Sequence, residues 1–228
     1  MTFLVDIKHA YWQSYRTILR RIDPYPHLNY ARKNGYIFVH IPKTAGTSVL
    51  NALGIPFRVH ADWKVLEASD PVLFRESFKF CFVRNPFDRL VSVYSYLLGG
   101  GAGITDAELS ELLNASFDTF DKFVSNFLNF HVIHQHPLLR PQYLYVCDLG
   151  SRLKVDFVGR YESLDKDFSS IAERLNMPSS LPMLNTSDRK PFSDYYGPET
   201  IEKVVSLYLM DFEIFNYPRS IISIGRRE

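Results

Sequence analysis

The sequence predicts an α/β fold with three layers, in which a central parallel sheet is flanked by helices. Two apolar segments rich in β-branched and aromatic residues, YIFVHI (36–41) and FKFCFV (78–83), have the composition of strands that are buried on both faces. Each segment is followed by a short polar turn and then by a stretch with helical periodicity. A strand, a turn and a helix that recur in this order are typical of parallel α/β proteins.

The remaining elements are placed along what we expect to be a single domain covering residues 1–228. Residues 1–33 are aromatic and basic, and we expect a helix there that leads into an irregular segment. Two further strands are predicted at YLYVC (143–147) and DFVGRY (156–161), and a short one just before His60. Residues 104–136 follow a glycine-rich turn and are mostly polar, so we interpret them as a helical insertion.

The composition excludes several classes of protein. The 26 basic and 25 acidic side chains give a formal net charge of +1, which does not support a protein that coats nucleic acid or binds anionic membranes. Cys81 and Cys147 each lie in an apolar segment, and we expect buried thiols in a reducing compartment. No stretch reaches the roughly 20 apolar residues that span a bilayer, and the N-terminus lacks a signal-peptide pattern, so we expect a cytoplasmic protein.

The turn after the first strand, PKTAGTS (42–48), has the composition of an anion-binding loop. Gly46 and Ala45 are small enough to let the backbone approach a ligand, and Lys43 adds a full positive charge. The following helix, expected over residues 47–53, would present backbone N–H groups at its start. Hydroxyl donors are available at three positions, Thr44, Thr47 and Ser48. A capped helix with a solvated lysine is the alternative interpretation.

This turn is not the phosphate loop of nucleoside triphosphatases. Its lysine precedes the glycine, whereas the lysine follows the glycine in G-x-x-x-x-G-K-[ST]. The sequence also lacks a clear apolar strand that ends in an aspartate able to hold magnesium. A ligand other than ATP is therefore indicated, and a kinase of the phosphate-loop type remains a rival interpretation.

The turn after the second strand predicts a second anion-binding site. Arg84 ends the strand, Asn85 can cap the next helix and Pro86 can occupy its first position. Ser92 lies two helical turns further on, where its hydroxyl could join the Arg84 guanidinium on an anion. An ion pair of Arg84 with a carboxylate is the alternative. The expected apolar face of this helix consists of Leu90, Val91, Tyr94 and Leu98.

These two motifs resemble those of the sulfotransferases that use 3′-phosphoadenosine 5′-phosphosulfate (PAPS), in particular the carbohydrate (Golgi-type, family 2) branch. HIPKTAGTS (40–48) is similar to their 5′-phosphosulfate loop, and RNPFDRLVSVY (84–94) matches R-x-P-x-x-R-x-x-S-x-Y at every defined position. The resemblance continues, more weakly, through RPQY (140–143), DFVGRYESLDKDF (156–168) and LPMLNTSDRKPF (181–192). It implies a P-loop-like sulfotransferase fold.

The resemblance also implies the ligands and the location. PAPS would be the co-substrate, no metal would be required, and the acceptor would be a hydroxyl group, foremost that of a glycan. A small-molecule or natural-product acceptor is the alternative, and a nucleotide-binding protein without catalytic activity is a more remote one. We expect a bacterial protein, with a truncated lumenal domain of a Golgi protein as the alternative.

Residue roles follow from the same resemblance. The loop from Lys43 to Ser48 would bind the 5′-phosphosulfate, and Arg84 and Ser92 would bind the 3′-phosphate. Tyr161 would lie near the adenine. Arg189 and Lys190 are similar to a basic pair that closes over the nucleotide, although Pro191 stands where related enzymes carry glycine.

The chemistry of sulfuryl transfer suggests two catalytic residues. A sulfuryl group carries less negative charge than a phosphoryl group, so Lys43 and backbone N–H groups could replace magnesium in stabilising the leaving oxygen. His60 is the candidate base for the acceptor proton, because the carbohydrate branch places a histidine in a comparable stretch and imidazole suits proton removal near neutral pH. A structural role for His60 is the alternative, with Asp62 and Glu67 as other candidate bases.

A cluster of histidines precedes the RPQY motif. His131, His134 and His136 have spacings that could ligate a metal, but no cysteine or carboxylate motif accompanies them, and we expect no metal site. We expect instead that His136 and Arg140 lie at the edge of the acceptor pocket, and that the helical insertion at about 104–136 lines it.

Overall fold

The computed structural model describes residues 27–56, 60–101, 104–182 and 189–221. Strands β1 (Tyr36–Val39), β2 (Phe78–Val83) and β3 (Phe157–Arg160) form a parallel sheet in the order β1-β2-β3. Helices flank this sheet, and the predicted α/β class is confirmed. The helix expected near the N-terminus lies mostly outside the described residues, as does the short strand expected before His60.

The helices and single helical turns follow in chain order. They are α1 (His27–Asn34), α2 (Gly46–Ala52), α3 (Trp63–Ser69), α4 (Pro71–Glu76), α5 (Pro86–Leu98), α6 (Ile104–Ser116), α7 (Phe120–Lys122), a π-helix (Phe123–Phe127), α8 (Phe130–Gln135), α9 (Tyr143–Val146), a 3₁₀ turn (Tyr161–Ser163), α10 (Leu164–Arg174), a 3₁₀ turn (Phe192–Tyr195), α11 (Pro198–Leu207) and α12 (Leu209–Ile214). None of the helices in the described part of the chain is long and apolar enough to cross a bilayer.

The strands are mostly apolar, with Lys79 of β2 and Arg160 of β3 as exceptions, because both faces of the sheet are covered. On one face, side chains from β1 and β2 join a large core with α5. On the other face, Phe38 and Phe80 stack with ring centroids 5.3 Å apart and contact a smaller core that includes Phe168 of α10. Successive residues of a strand point to opposite faces, so a strand buried on both sides has no polar alternation.

Helix α5 begins as the sequence predicts. The Asn85 side chain accepts a hydrogen bond from the Phe87 N–H at 3.0 Å, and Pro86 occupies the first helical position. The expected apolar face is wrong at one position, because Leu98 is 38% exposed and Leu97 is buried in its place. Both cysteines are buried free thiols, as expected. Residues 104–136 are largely helical, and their interpretation as an insertion in a single domain stays a prediction.

The strand predicted at YLYVC is wrong, since residues 143–146 form the short helix α9. Asp211 on α12 accepts hydrogen bonds from the backbone N–H groups of Gln142 and Tyr143, each at 2.8 Å. The first N–H groups of a helix have no partner within the helix, so this distant carboxylate caps it. Only Cys147 keeps a β-type pairing, an isolated antiparallel bridge with Leu153.

Replacing Asp211 by alanine should therefore destabilise the fold strongly. The Asp211→Ala change leaves two buried N–H groups without their acceptor, and we expect the free energy of unfolding in urea to fall by about 2–4 kcal/mol. Glu213→Ala on the same helix is the matched control, because Glu213 is exposed and its ion pair with Arg219 lies at the surface. Equal losses in the two variants would contradict the capping role.

Candidate active site

The loop between β1 and α2 has the backbone features of an anion-binding nest. Lys43 and Ala45 both adopt left-handed backbone conformations, with φ of 68° and 65°. The N–H groups of residues 44–47 make no hydrogen bond within the described part of the chain. Successive N–H groups that point into one concavity form a nest that binds anions. The predicted loop residues therefore have the backbone geometry of an anion site.

Thr44 and Gly46 in this loop have roles that differ from those expected. The Thr44 hydroxyl is fully buried and donates to the carbonyl of Ile41 at 2.9 Å, so it is turned away from the loop surface. Gly46 is required by His40, because a Cβ at position 46 would lie 1.8 Å from His40 Nε2. His40 is itself buried and stacks on Phe38. Glycine at position 46 thus leaves room for the His40 ring.

Arg84 connects this loop to the second turn. Its guanidinium is buried, donates from Nε to Asp88 Oδ2 at 2.7 Å and from Nη1 to the carbonyl of Lys43 at 3.3 Å. The guanidinium lies 3.7 Å from the centroid of the Tyr161 ring, a stacking contact. The structure therefore brings together three elements that the sequence assigned separately: the Lys43 loop, Arg84 and Tyr161. The carboxylate pairing considered as an alternative for Arg84 also exists.

The backbone of Arg84 is held by a second buried network. Its N–H donates to Gln142 Oε1 at 2.9 Å, and the Gln142 amide donates back to the Arg84 carbonyl at 2.8 Å. The Gln142 N–H in turn donates to Asp211. Gln142 lies in the RPQY motif noted in the sequence. No role was predicted for this residue.

Asp88 bridges two arginines. Its second carboxylate oxygen pairs with Arg189, whose side chain is 12% exposed, so Arg189 joins the Arg84 cluster from the late part of the chain. Lys190 is exposed and makes no ion pair or hydrogen bond with any described residue. Ser92 is buried on α5, and no hydrogen bond among the described residues links its hydroxyl to Arg84. The structure thus joins Arg84 to Arg189 of the predicted closing pair, and does not join it to Ser92, its predicted partner on the 3′-phosphate.

The Lys43 side chain extends over α5. Its Nζ lies 4.1 Å from the centroid of the Tyr96 ring, and the Tyr96 hydroxyl donates to Asp106 Oδ2 at 2.8 Å. The pKa of Lys43 is lowered to about 8, first by burial and then by the positive charges of Arg84 and Arg189, while Asp106 opposes the shift. The cations at this site therefore outweigh its carboxylates.

His60 lies beside the anion loop. Its ring centroid is 4.2 Å from that of His40, which contacts Gly46, and its Nδ1 is 3.1 Å from the His40 carbonyl oxygen. A carbonyl can only accept, so Nδ1 carries the proton and the lone pair of the neutral ring lies on Nε2. The residue is exposed. The contact with the His40 carbonyl thus orients the His60 ring, and Nε2 is the nitrogen that can accept a proton.

The carboxylates considered as alternatives to His60 have structural partners. Asp62 caps α3 by accepting from the Val65 N–H at 3.1 Å and pairs with Arg140 at 2.9 Å. Glu67 lies 3.6 Å from the Lys154 ammonium. Each of these two carboxylates therefore has a structural contact.

The predicted acceptor-edge residues Arg140 and His136 lie in different surroundings. Besides Asp62, the Arg140 guanidinium donates to the Leu144 carbonyl, whereas His136 Nε2 lies 3.9 Å from Asp106 Oδ1. The other two histidines of the cluster make local contacts on α8, His131 with Gln135 and His134 with the Phe130 carbonyl. Among the described residues no group of three or more histidine, cysteine or carboxylate side chains is arranged to hold a metal.

Arg89 is the main residue to which the sequence assigned no role. It is 2% exposed and donates from Nε to the Pro42 carbonyl at 3.1 Å. Its Nη2 donates to the carbonyls of Leu138 at 3.0 Å and Arg140 at 2.9 Å. Its only signal in the sequence is that it fills the second arginine position of the R-x-P-x-x-R motif.

Comparison with known families agrees with this geometry. Residues 26–218 match the model of the Sulfotransferase family. The chain belongs to the sulfotransferase family. The match spans both turns predicted to bind anions, the helices that follow them and the segment around Tyr161.

Several curated proteins are similar to this chain. Carbohydrate sulfotransferase 14 of Mus musculus is 25% identical over 242 residues, which cover 89% of this chain and 61% of the mouse protein. Carbohydrate sulfotransferase 11 of Rattus norvegicus is 27% identical over 163 residues, 61% of this chain and 46% of the rat protein. An uncharacterized protein of Archaeoglobus fulgidus is 28% identical over 128 residues, 55% of this chain and 90% of its own length.

The chain thus spans about three fifths of the mouse relative and about half of the rat one. These relatives lend no support to a bacterial origin or a cytoplasmic location. Both locations considered for the chain, the cytoplasm and the Golgi lumen, remain predictions.

A methyl group at position 46 should disturb the loop. In Gly46→Ala, either His40 or the loop must move, and we expect the free energy of unfolding to fall by about 1–3 kcal/mol. Gly99→Ala is the matched control, since its Cβ would meet no atom closer than 3.6 Å. The measurement is urea unfolding followed by circular dichroism. A Gly46→Ala variant as stable as Gly99→Ala would show that the His40 contact imposes no constraint.

Proposed function

We propose that this chain transfers a sulfuryl group from PAPS to a hydroxyl group of a glycan. Membership of the sulfotransferase family supports the reaction, and the names of the mouse and rat relatives support a carbohydrate acceptor. The observation that carries the proposal is the contact between Arg84 and the carbonyl of Lys43. It joins two anion-binding turns into one site, which suits a single ligand with phosphate-like groups at two positions.

The donor would be held by groups from both turns. The N–H groups of residues 44–47 and the Lys43 ammonium would bind the 5′-phosphosulfate, and Arg84 with Arg189 would bind the 3′-phosphate. Tyr161 would contact the adenine, since its ring already stacks on Arg84. The assignments of Ser92 and Lys190 rest on the resemblance alone.

The reaction needs one bond made, one bond broken and one proton removed. The acceptor oxygen forms a bond to sulfur, and the bond from sulfur to the phosphate oxygen breaks. The bisphosphate 3′-phosphoadenosine 5′-phosphate (PAP) then leaves. Lys43 stabilises the charge that develops on the leaving oxygen, together with the loop N–H groups. His60 Nε2 accepts the hydroxyl proton, and the bond from Nδ1 to the His40 carbonyl holds the ring in the required tautomer. No step requires a metal ion.

Binding of PAP tests the donor site directly. We expect PAP to raise the melting temperature by mass action, and AMP, which lacks the 3′-phosphate, to raise it far less. Arg84→Gln should weaken PAP binding measured by calorimetry by roughly 10- to 100-fold, because a charge-assisted contact is lost. Arg152→Gln is the control, since that side chain is 83% exposed and pairs with Asp148 at the surface. Equal stabilisation by PAP and AMP would contradict the proposed donor.

The role of His60 separates an enzyme from a nucleotide-binding protein. We expect His60→Gln to slow the transfer of radioactive sulfate to a glycan acceptor by roughly 10²-fold or more, while PAP affinity stays nearly unchanged. His134→Gln is the control, because His134 is also exposed and also bonded through Nδ1 to a carbonyl. Wild-type transfer rates in His60→Gln would make His60 structural.

The same assay distinguishes the alternative functions. Reactions are run in excess EDTA, because a kinase of the phosphate-loop type depends on magnesium. Activity lost in EDTA and restored by magnesium, with ATP as donor, would support the kinase. A panel that includes hydroxylated small molecules beside glycans tests the other acceptor class. PAP binding without transfer to any acceptor would support the non-catalytic alternative.

A further inference from the structure

A pair of residues outside the family motifs connects helix α6 to Lys43. Tyr96 lies on α5 with its ring 4.1 Å from the Lys43 ammonium. Its hydroxyl donates at 2.8 Å to Asp106, which lies in the first turn of α6. Asp106 thus orients the aromatic ring that Lys43 contacts. Neither residue has a role in the function proposed above.

The geometry of the helix junction fixes Asp106 in this place. The Gly101 N–H donates to the Tyr96 carbonyl at 3.1 Å, and Gly101 has a φ of +65°. A Cβ at Gly101 would lie 2.7 Å from the Asp106 Cβ, so only glycine allows α6 to approach this closely. One helical turn after Asp106, the Ser110 hydroxyl donates to the Leu97 carbonyl at 2.6 Å. The start of α6 is therefore held against the end of α5.

Charge explains why Lys43 needs such a contact. The ammonium is partly buried and is faced by the guanidinium groups of Arg84, Arg89 and Arg189, which all disfavour its charged form. Asp106 is the acidic group that opposes them, and His136 faces Asp106 from the other side. The electron-rich face of an aromatic ring also favours an adjacent cation. Tyr96 and Asp106 are thus the groups that favour a protonated Lys43.

We propose that Tyr96 and Asp106 are positioning residues for Lys43: the ring holds the ammonium, and the carboxylate holds the ring and offsets the charge of the arginines. Helix α6 thereby helps to set the charge and direction of the lysine. The effect on Lys43 can be measured in the protein without nucleotide. Its importance for sulfuryl transfer rests on the proposed function.

The test is competitive acylation of the ligand-free protein with trace acetic anhydride. The labelling of the peptide that contains Lys43 is followed by mass spectrometry between pH 7 and 10, since only the neutral amine reacts. In the unaltered protein the midpoint should lie near pH 8. Asp106→Asn keeps an acceptor for the Tyr96 hydroxyl but removes the charge, and we expect the midpoint to fall by about half a pH unit, about 3-fold in the protonation constant.

Two further variants complete the test. Tyr96→Leu removes the π face and the hydroxyl while keeping an apolar side chain, and its midpoint should also fall. Glu111→Gln is the matched control, because it removes one charge from an exposed position of the same helix and should leave the midpoint unchanged. The proposal is overturned if the midpoints of Lys43 labelling in Asp106→Asn and in Tyr96→Leu both equal the midpoint in Glu111→Gln.

Turnover then separates this proposal from the proposed function. If the unaltered protein transfers sulfate, Asp106→Asn should lower kcat more than PAP affinity, because less of Lys43 is charged and directed at the leaving oxygen. An unchanged kcat beside a shifted midpoint would overturn the role in transfer. If the unaltered protein transfers no sulfate to any acceptor, the proposed function fails, and the acylation result still decides whether Tyr96 and Asp106 position Lys43.

Discussion

The buried guanidinium of Arg89 is the constraint on which the site depends. Burying a charge is costly unless hydrogen bonds replace its hydration, and Arg89 meets this requirement with the backbone carbonyls of Pro42, Leu138 and Arg140. These carbonyls belong to two segments, the anion loop and the segment before α9. Helix α5 therefore fixes the position of both. Because the carbonyl of Pro42 is held, the next residue, Lys43, can be kept in its left-handed conformation.

The positively charged side chains around Arg89 outnumber the negatively charged ones. Arg84 and Arg189 share the carboxylate of Asp88, and Asp106 is the carboxylate that favours the charged form of Lys43. The whole chain carries a formal net charge of +1, so this positive potential is a local property of the folded site. Burial is the first cause of the lowered pKa of Lys43, and the neighbouring arginines add to it. An anionic ligand would relieve this repulsion, which agrees with a donor that carries phosphate groups at both ends.

The sequence predicted the features that depend on local patterns. The strands that carry the two turns, the Asn85 cap and the proximity of Lys43 to Arg84 follow from apolar runs, helix-start residues and the parallel order of the strands. Features set by distant partners could not be predicted. Residues 143–146 form a helix because Asp211, more than sixty positions later, accepts their first N–H groups. The reason for Gly46 is a histidine ring that only the folded chain places there.

Helix α6 and the loop that follows β1 are held by separate contacts. The loop is fixed by β1 and by Arg89, whose three carbonyl partners lie outside residues 104–136. Helix α6 approaches Lys43 through one face, on which Asp106 and Ser110 contact α5. Its opposite face, with Glu108 and Glu111, is exposed and makes none of these contacts. Substitutions on that exposed face should leave Lys43 in place, because Asp106 and Ser110 lie on the side of the helix that packs against α5.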